Sequence, residues 1–173
     1  MSQKSSWLDG PQIPGQNTDP NRPDNYPGQT LGLPQRGPGS IVTVLRRVGG
    51  LAIDWIISLG IAAVLFPFFG HTPEEMEALG LSPLTTWGSF ASSWAIVVFV
   101  LVGTVSVWAM GRTPGQAALG MGVARIDEPG VGVGLWRAFL RSILTACLFP
   151  PVIQDSDARG LHDRITNTAV IRG

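Results

Sequence analysis

One carboxylate stands in an otherwise apolar run: Asp54 is the single charged residue between Val48 and Phe69. An ionised carboxylate in hydrocarbon costs on the order of 2 to 3 kcal/mol even by lenient insertion scales. Such a side chain therefore either binds a proton or cation, or is held by donors from neighbouring elements. Arg47 lies two helical turns earlier on the same face, and Gly50, Ser58 and Ala62 continue that face at four-residue spacing. Another helix is expected to pack on this small and polar stripe. A second polar group gathers near the carboxyl end, where Asp155, Asp157, Arg159, His162, Asp163 and Arg164 follow a third apolar stretch. Arg137 and Arg141, one turn apart, are placed to pair with these carboxylates. The candidate ion or proton site is thus the set Arg47, Asp54, Arg141, His162, Asp163 and Arg164.

Other chemistries fail on residue type. His71 and His162 lie on distant parts of the chain and give no shared metal centre. Gly130-Val131-Gly132-Val133-Gly134 lacks the spacing of a dinucleotide fingerprint, and Lys4, the one lysine, leaves no P-loop. Cys147 sits in an apolar run with no catalytic partner in evidence. No cofactor, metal or enzymatic activity is expected.

The elements that must position these residues are set by hydropathy. Charged residues make up only 14% of the 173 residues, against roughly a quarter in soluble domains, while 45% are hydrophobic. Twelve basic and twelve acidic side chains give zero net charge, which argues against a nucleic-acid partner. Residues 1–40, rich in proline, glycine and polar residues, read as a disordered cytoplasmic tail, and residues 41–173 as a membrane domain. As a helix, Val48 to Phe69 would extend roughly 33 Å, enough to span a bilayer, and Phe90 to Met110 carries no charge. On the second span Ser92, Ala95, Gly103 and Ser106 offer a face to oppose the Asp54 stripe. The third apolar segment, about 135–153, is interrupted by Arg137, Arg141 and the Pro150-Pro151 pair, and is re-entrant, interfacial or spanning.

Arg36, Arg46 and Arg47 precede the first span, and Arg112 and Arg125 follow the second. The intervening Gly70 to Ser89 holds Glu74, Glu75 and Glu77 but no lysine or arginine. Both ends of the helical pair are expected on the cytoplasmic side. Thr113 with Pro114 predicts the start of a short helix ending at Gly120. Met121 to Ile126 and Val131 to Gly134 are expected to form a small cytoplasmic β-hairpin about Asp127-Glu128-Pro129-Gly130, with Thr168 to Arg172 closing back onto it as a third strand. The fold class is membrane all-α with that hairpin attached.

Three separated motifs carry a family resemblance. They are Arg46-Arg47-Val48-Gly49-Gly50-Leu51-Ala52-Ile53-Asp54, then Gly111-Arg112-Thr113-Pro114-Gly115-Gln116 with Leu119-Gly120-Met121-Gly122-Val123, and finally Leu161-His162-Asp163-Arg164 with Thr168 and Val170. In this order they resemble the RDD family of small integral membrane proteins. The resemblance implies that Arg47 is the family arginine and that Asp54 and Asp163 are its two aspartates. It also implies a bacterial plasma-membrane protein, with transport of unidentified ligands suggested for the family and sodium-proton exchange for some members. Two or three spans seldom enclose a pathway alone, so a homo-oligomer or a larger membrane partner is expected, with Asp54 faces meeting around a polar route. In that mechanism Asp54 binds the proton or cation, and Asp163 with Arg141 governs the cytoplasmic mouth. The competing expectation is a scaffold or regulatory subunit that docks a partner without transport.

Overall fold

The computed structural model describes residues 26–128, 130–148 and 158–173. Two long helices dominate it: α1, Val44–Phe69, and α3, Pro83–Met110, both long and apolar enough to cross a membrane. Each begins earlier than the apolar runs suggested, because Val44 and Pro83 start helices at ordinary helix-entry residues, Thr43 and Ser82. Gly111, at φ +67°, ends α3 in the left-handed conformation that glycine adopts without a Cβ penalty. Between the pair, Thr72 and Glu75 close a capping box on the short helix α2, Pro73–Ala78.

The face α1 buries is Arg47, Gly50, Asp54, Ser58 and Ala62, the stripe read from the sequence. It meets α3 along part of its length, with Ala62 of the stripe against Ala95 and Val98. Ala95 faces the stripe as expected, but Gly103 is buried against Ser142, and Ser92 is exposed, its hydroxyl donating to the Ser89 carbonyl at 3.0 Å. A helical face is about a residue wide, and the inward position of that turn belongs to Ala91 instead. Toward the far end the pair is held by apolar contacts: Ala62 against Ala95 and Val98, Phe66 edge-on to Phe90 at 5.3 Å, and Phe69 stacked on Trp94 at 6.2 Å.

The outer faces are apolar and bare. Only 11% of the most apolar window of α1 and 44% of that of α3 is buried. Ile56, Val64 and Phe68 on α1, with Leu84, Leu101 and Trp108 on α3, are all more than half exposed. A patch of this extent marks a surface that meets a membrane or another protein.

At the other end a small cap closes over the pair. Helix α4, Pro114–Ala118, leads to strand β1, Met121–Arg125; then come α5, Leu135–Leu148, α6, Leu161–Ile165, and strand β2, Thr168–Arg172. The expected local hairpin does not form: β1 pairs antiparallel with β2, from Met121 opposite Arg172 to Arg125 opposite Thr168. Val131 to Gly134 is not a strand. Its alternating glycines favour extended pairing poorly, and Val133 is drawn instead into a cluster with Val107, Val123 and Ala138. Arg125 and Arg137 both bind Asp127 and fix the turn as an approach to α5. The Arg125 and Arg137 guanidiniums hold the Asp127 carboxyl well below its ordinary range.

On the other side of β2 lies the approach to α1. Gly39 N–H donates to the Arg172 carbonyl at 2.8 Å, Arg172 N–H to that of Ser40 at 2.8 Å, and Val42 N–H to that of Val170 at 3.2 Å. Upstream, Gln29–Leu31 form one 3-10 turn, so part of the stretch expected to be disordered has a set course. Residues 1–25 of that tail, and the 149–153 part of the third apolar segment, lie outside the described residues. Helix α5 itself packs antiparallel on the cap end of α3, with Ala138 near Val107 and Ser142 against Gly103.

Candidate functional site

Two polar centres form where α1 enters the cap. The first surrounds Asp54. Its carboxylate accepts from the Thr113 hydroxyl at 2.5 Å and from the Gly115 backbone N–H at 2.6 Å. Thr113 also caps α4 by accepting from Gln116 N–H at 3.2 Å, and the Gln116 side-chain oxygen accepts from Thr113 N–H at 3.0 Å. One capping box therefore both starts α4 and aims two donors at α1. The approach is close. A Cβ on Gly115 would lie 2.0 Å from the Gly50 carbonyl oxygen and 2.9 Å from the Asp54 carboxyl carbon, so glycine is required there.

The second centre is built on Asp163, which is fully buried in α6. Arg47 donates to one carboxylate oxygen at 2.9 Å, and Arg141 of α5 binds the other. Arg141 also reaches the Thr168 hydroxyl at 3.0 Å, while Arg47 reaches the carbonyls of Val42 at 3.3 Å and Val170 at 3.5 Å. Burial opposes charge on Asp163, but Arg141 foremost, with further help from Arg47, holds its carboxyl below the ordinary range. The clasp joins α1, α5, α6 and β2, elements 116 residues apart in the case of Arg47 and Asp163.

His162 lies beside this clasp with its Nε2 3.4 Å from Asp163. Burial, then the positive field of Arg141, lowers its pKa to about 4. The imidazole is therefore neutral near pH 7, and its contact with Asp163 is not an ion pair there. Its Nδ1 is buried and has no hydrogen-bond partner among the described residues. The two centres share a cavity of about 60 Å³, lined among others by Arg47, Asp54, Gln116, Arg141, Ser142 and His162.

A family model now bears on this geometry: that of the RDD family matches residues 41–167, well over half of the chain. The chain belongs to the RDD family. No curated protein and no solved structure matches it.

Within this RDD domain the structure brings Arg47, Asp54, Arg141 and His162 around one cavity, with Asp163 held between the two arginines, but the partners differ from those expected. The sequence pairs Arg47 with Asp54 by helical spacing, whereas the Asp54 oxygens take their donors from α4 and Arg47 is shared with Asp163. A residue seven positions away on a helix is some 10 Å distant along the axis, farther than an arginine side chain reaches from its own Cα. Turned toward the cap, the same guanidinium meets Asp163. Arg164 is exposed on the outer side of α6 and does not join the cluster. Asp155 and Asp157 lie outside the described residues.

Sequence reasoning missed Thr113 and Gly115 as partners of Asp54. Thr113 was legible as a helix cap, and the signal left unused was Gly50, one turn before Asp54, facing a second glycine in a capped turn. Cys147 is exposed, and the described residues hold no group of histidine, cysteine and carboxylate side chains arranged to bind a metal.

Proposed function

We propose that this RDD protein resides in the plasma membrane of a bacterium, with its amino-terminal side and cap in the cytoplasm. There, in a homo-oligomer or with a larger membrane partner, it moves a small ion or polar solute. The reading is non-enzymatic and involves no nucleic acid. The observation that carries it is the cavity: charged and hydroxyl side chains gathered inside one end of a helical pair whose outer faces are apolar. Ionisable groups at such a place mark solute pathways by default. Asp54 is the gate residue in this account, because releasing the Thr113 and Gly115 donors would free its carboxylate to meet a passing ion. Two long helices enclose no route by themselves, so neighbouring copies or a partner supply the remaining walls.

A second reading, a scaffold or regulatory subunit, draws on a different observation. Asp54 and Asp163 are both bonded within the chain, and the clasp ties distant segments together. Such a network serves architecture as well as passage.

Reconstitution in liposomes separates the two. Ion flux under an imposed gradient that disappears in Asp54→Asn, a change that keeps an acceptor for Thr113, supports passage. Absence of flux under every gradient, with a stable co-purifying membrane protein, supports the scaffold. Orientation is tested by Glu75→Cys in a Cys147→Ser background, which should label with an impermeant thiol reagent in intact cells, whereas Arg125→Cys should not.

A further inference from the structure

Two tryptophans mark the levels at which α3 meets the membrane interfaces. Trp87 and Trp108 are both exposed and lie 21 positions apart, which along a helix is roughly 31 Å, the thickness of a hydrocarbon core. Their midpoint falls at Val98. Against this helix α5 descends from the cap: Ala138 clusters with Val107, and Ser142 lies against Gly103, four positions along on each helix. The same register brings Trp136 nearly level with Trp108 and Cys147 level with Val98. Thr145 and Phe99 share the cavity wall, as that register requires. The level of Trp136 is fixed a second time by its neighbour Arg137, which binds Asp127 at 2.9 Å on the turn before α5. A partly exposed ion pair of this kind belongs on the water side. By α6 the chain is back in the cap, where Asp163 meets Arg47 and Arg141.

We infer that α5 is a half-membrane helix, dipping from the cap-side interface to the bilayer centre, and that its outer stripe is a surface for the acyl chains of the cap-side leaflet. Trp136, Phe139, Ile143 and Cys147 form that stripe at intervals of three, four and four residues, and each is exposed or half-buried. From Trp136 to Cys147 it measures about 16 Å, one leaflet's share of a core about 30 Å thick. Its order suits lipid, with tryptophan at the headgroup level and uncharged side chains below. The opposite face turns Ala138, Arg141 and Ser142 inward, all of them buried. The match to one leaflet in both length and residue order favours lipid over a second copy of the chain. Helix α5 has 14 residues, about 21 Å, too short to cross the core, so the chain enters from the cap and is in the cap again at α6. This placement rests on the membrane residence proposed above; it does not depend on passage and holds equally for the scaffold.

The experiment reads depth in vesicles of phosphatidylcholine and phosphatidylglycerol. The full chain is spin-labelled at Cys147, its one cysteine, and depth is taken from collisions with oxygen and with a water-soluble nickel chelate. That label should lie near the bilayer centre, about 16 Å deeper than a label on Trp136→Cys in a Cys147→Ser background. Equal depths at the two positions mean a helix lying flat in the interface and overturn the half-membrane placement. Poor access of Cys147 to both reagents means that protein covers the stripe and overturns the lipid surface. Ile96→Cys in the same background, exposed on α3 close to the level of Val98, is the reference and should match Cys147 in depth. A nickel-accessible label there removes the membrane residence itself; a deep label there with a shallow one at Cys147 removes only the placement of α5. Sidedness is a separate reading. Arg164→Cys should respond to an impermeant thiol reagent in intact cells as Arg125→Cys does, and opposite responses mean that the chain crosses between them and overturn the proposal.

Discussion

The two ends of the α1–α3 pair are held by opposite physics. At the far end Phe66, Phe90, Phe69 and Trp94 meet through rings, and Ala62 with Ala95 lets the helices approach. At the cap end the joints are Asp54 to α4 and Asp163 between two arginines. Ring contacts tolerate replacement by other apolar groups because no partner is left unsatisfied. Buried charges do not, because removing one member strands the others. Specificity of arrangement therefore resides in the cap, and the far end needs only to be apolar and of suitable volume.

The largest test of that contrast is Asp163→Asn, which leaves Arg47 and Arg141 without their shared charge. Stability of the detergent-extracted protein should fall by about 3 to 5 kcal/mol, and the loss should couple to Arg47→Gln as well as to Arg141→Gln in double-mutant cycles. Strict additivity in both cycles would mean that the clasp is not a unit.

Acid should act on the cap next. His162 is neutral in the folded protein down to about pH 4, whereas unfolded histidine takes up its proton near 6.5. The unfolded state then binds more protons between those values, so stability falls as pH drops from about 6.5 to about 4, by on the order of 3 kcal/mol in total. His162→Gln should flatten that part of the profile. Asp163, whose pKa is lowered, adds its own loss only at lower pH, below the ordinary carboxylate value.

A smaller effect is expected from Gly115→Ala. The added methyl must push α4 from the Gly50 carbonyl, at a cost of about 1 to 3 kcal/mol, and should loosen the Thr113 bond to Asp54. Asp54→Asn in the same background should then cost less than it does alone. At the far end, Phe90→Leu should cost least, below about 1.5 kcal/mol, and should leave the acid profile unchanged.

How far these features could be read in advance follows the reach of each contact. The buried stripe of α1 was legible because four-residue spacing on one helix is a local property, and Thr113-Pro114 announced α4 for the same reason. Strand β2 was legible by its alternation, as was its return to the sheet, but that it pairs with β1 in place of Val131 to Gly134 was not. Pairing with Met121 to Arg125 depends on the path through α5 and α6, which no short window contains. Charge pairing failed similarly: spacing brings Arg47 into line with Asp54, but it carries no information about Asp163 more than a hundred positions later. The exposed Ser92 shows the remaining weakness, since small residues at near-helical intervals do not fix a face to within one position.

The reach of the clasp also imposes an order on biosynthesis. Arg47 emerges from the ribosome long before Asp163 exists, and β2 follows later still, so the helical pair is made before its cap can close. A nascent chain interrupted ahead of α6 would present two guanidiniums without the carboxylate they share and a strand β1 without its mate. The Arg47–Asp163–Arg141 joint thus works as a completion seal, set only when the distant parts of the polypeptide have been made and brought together.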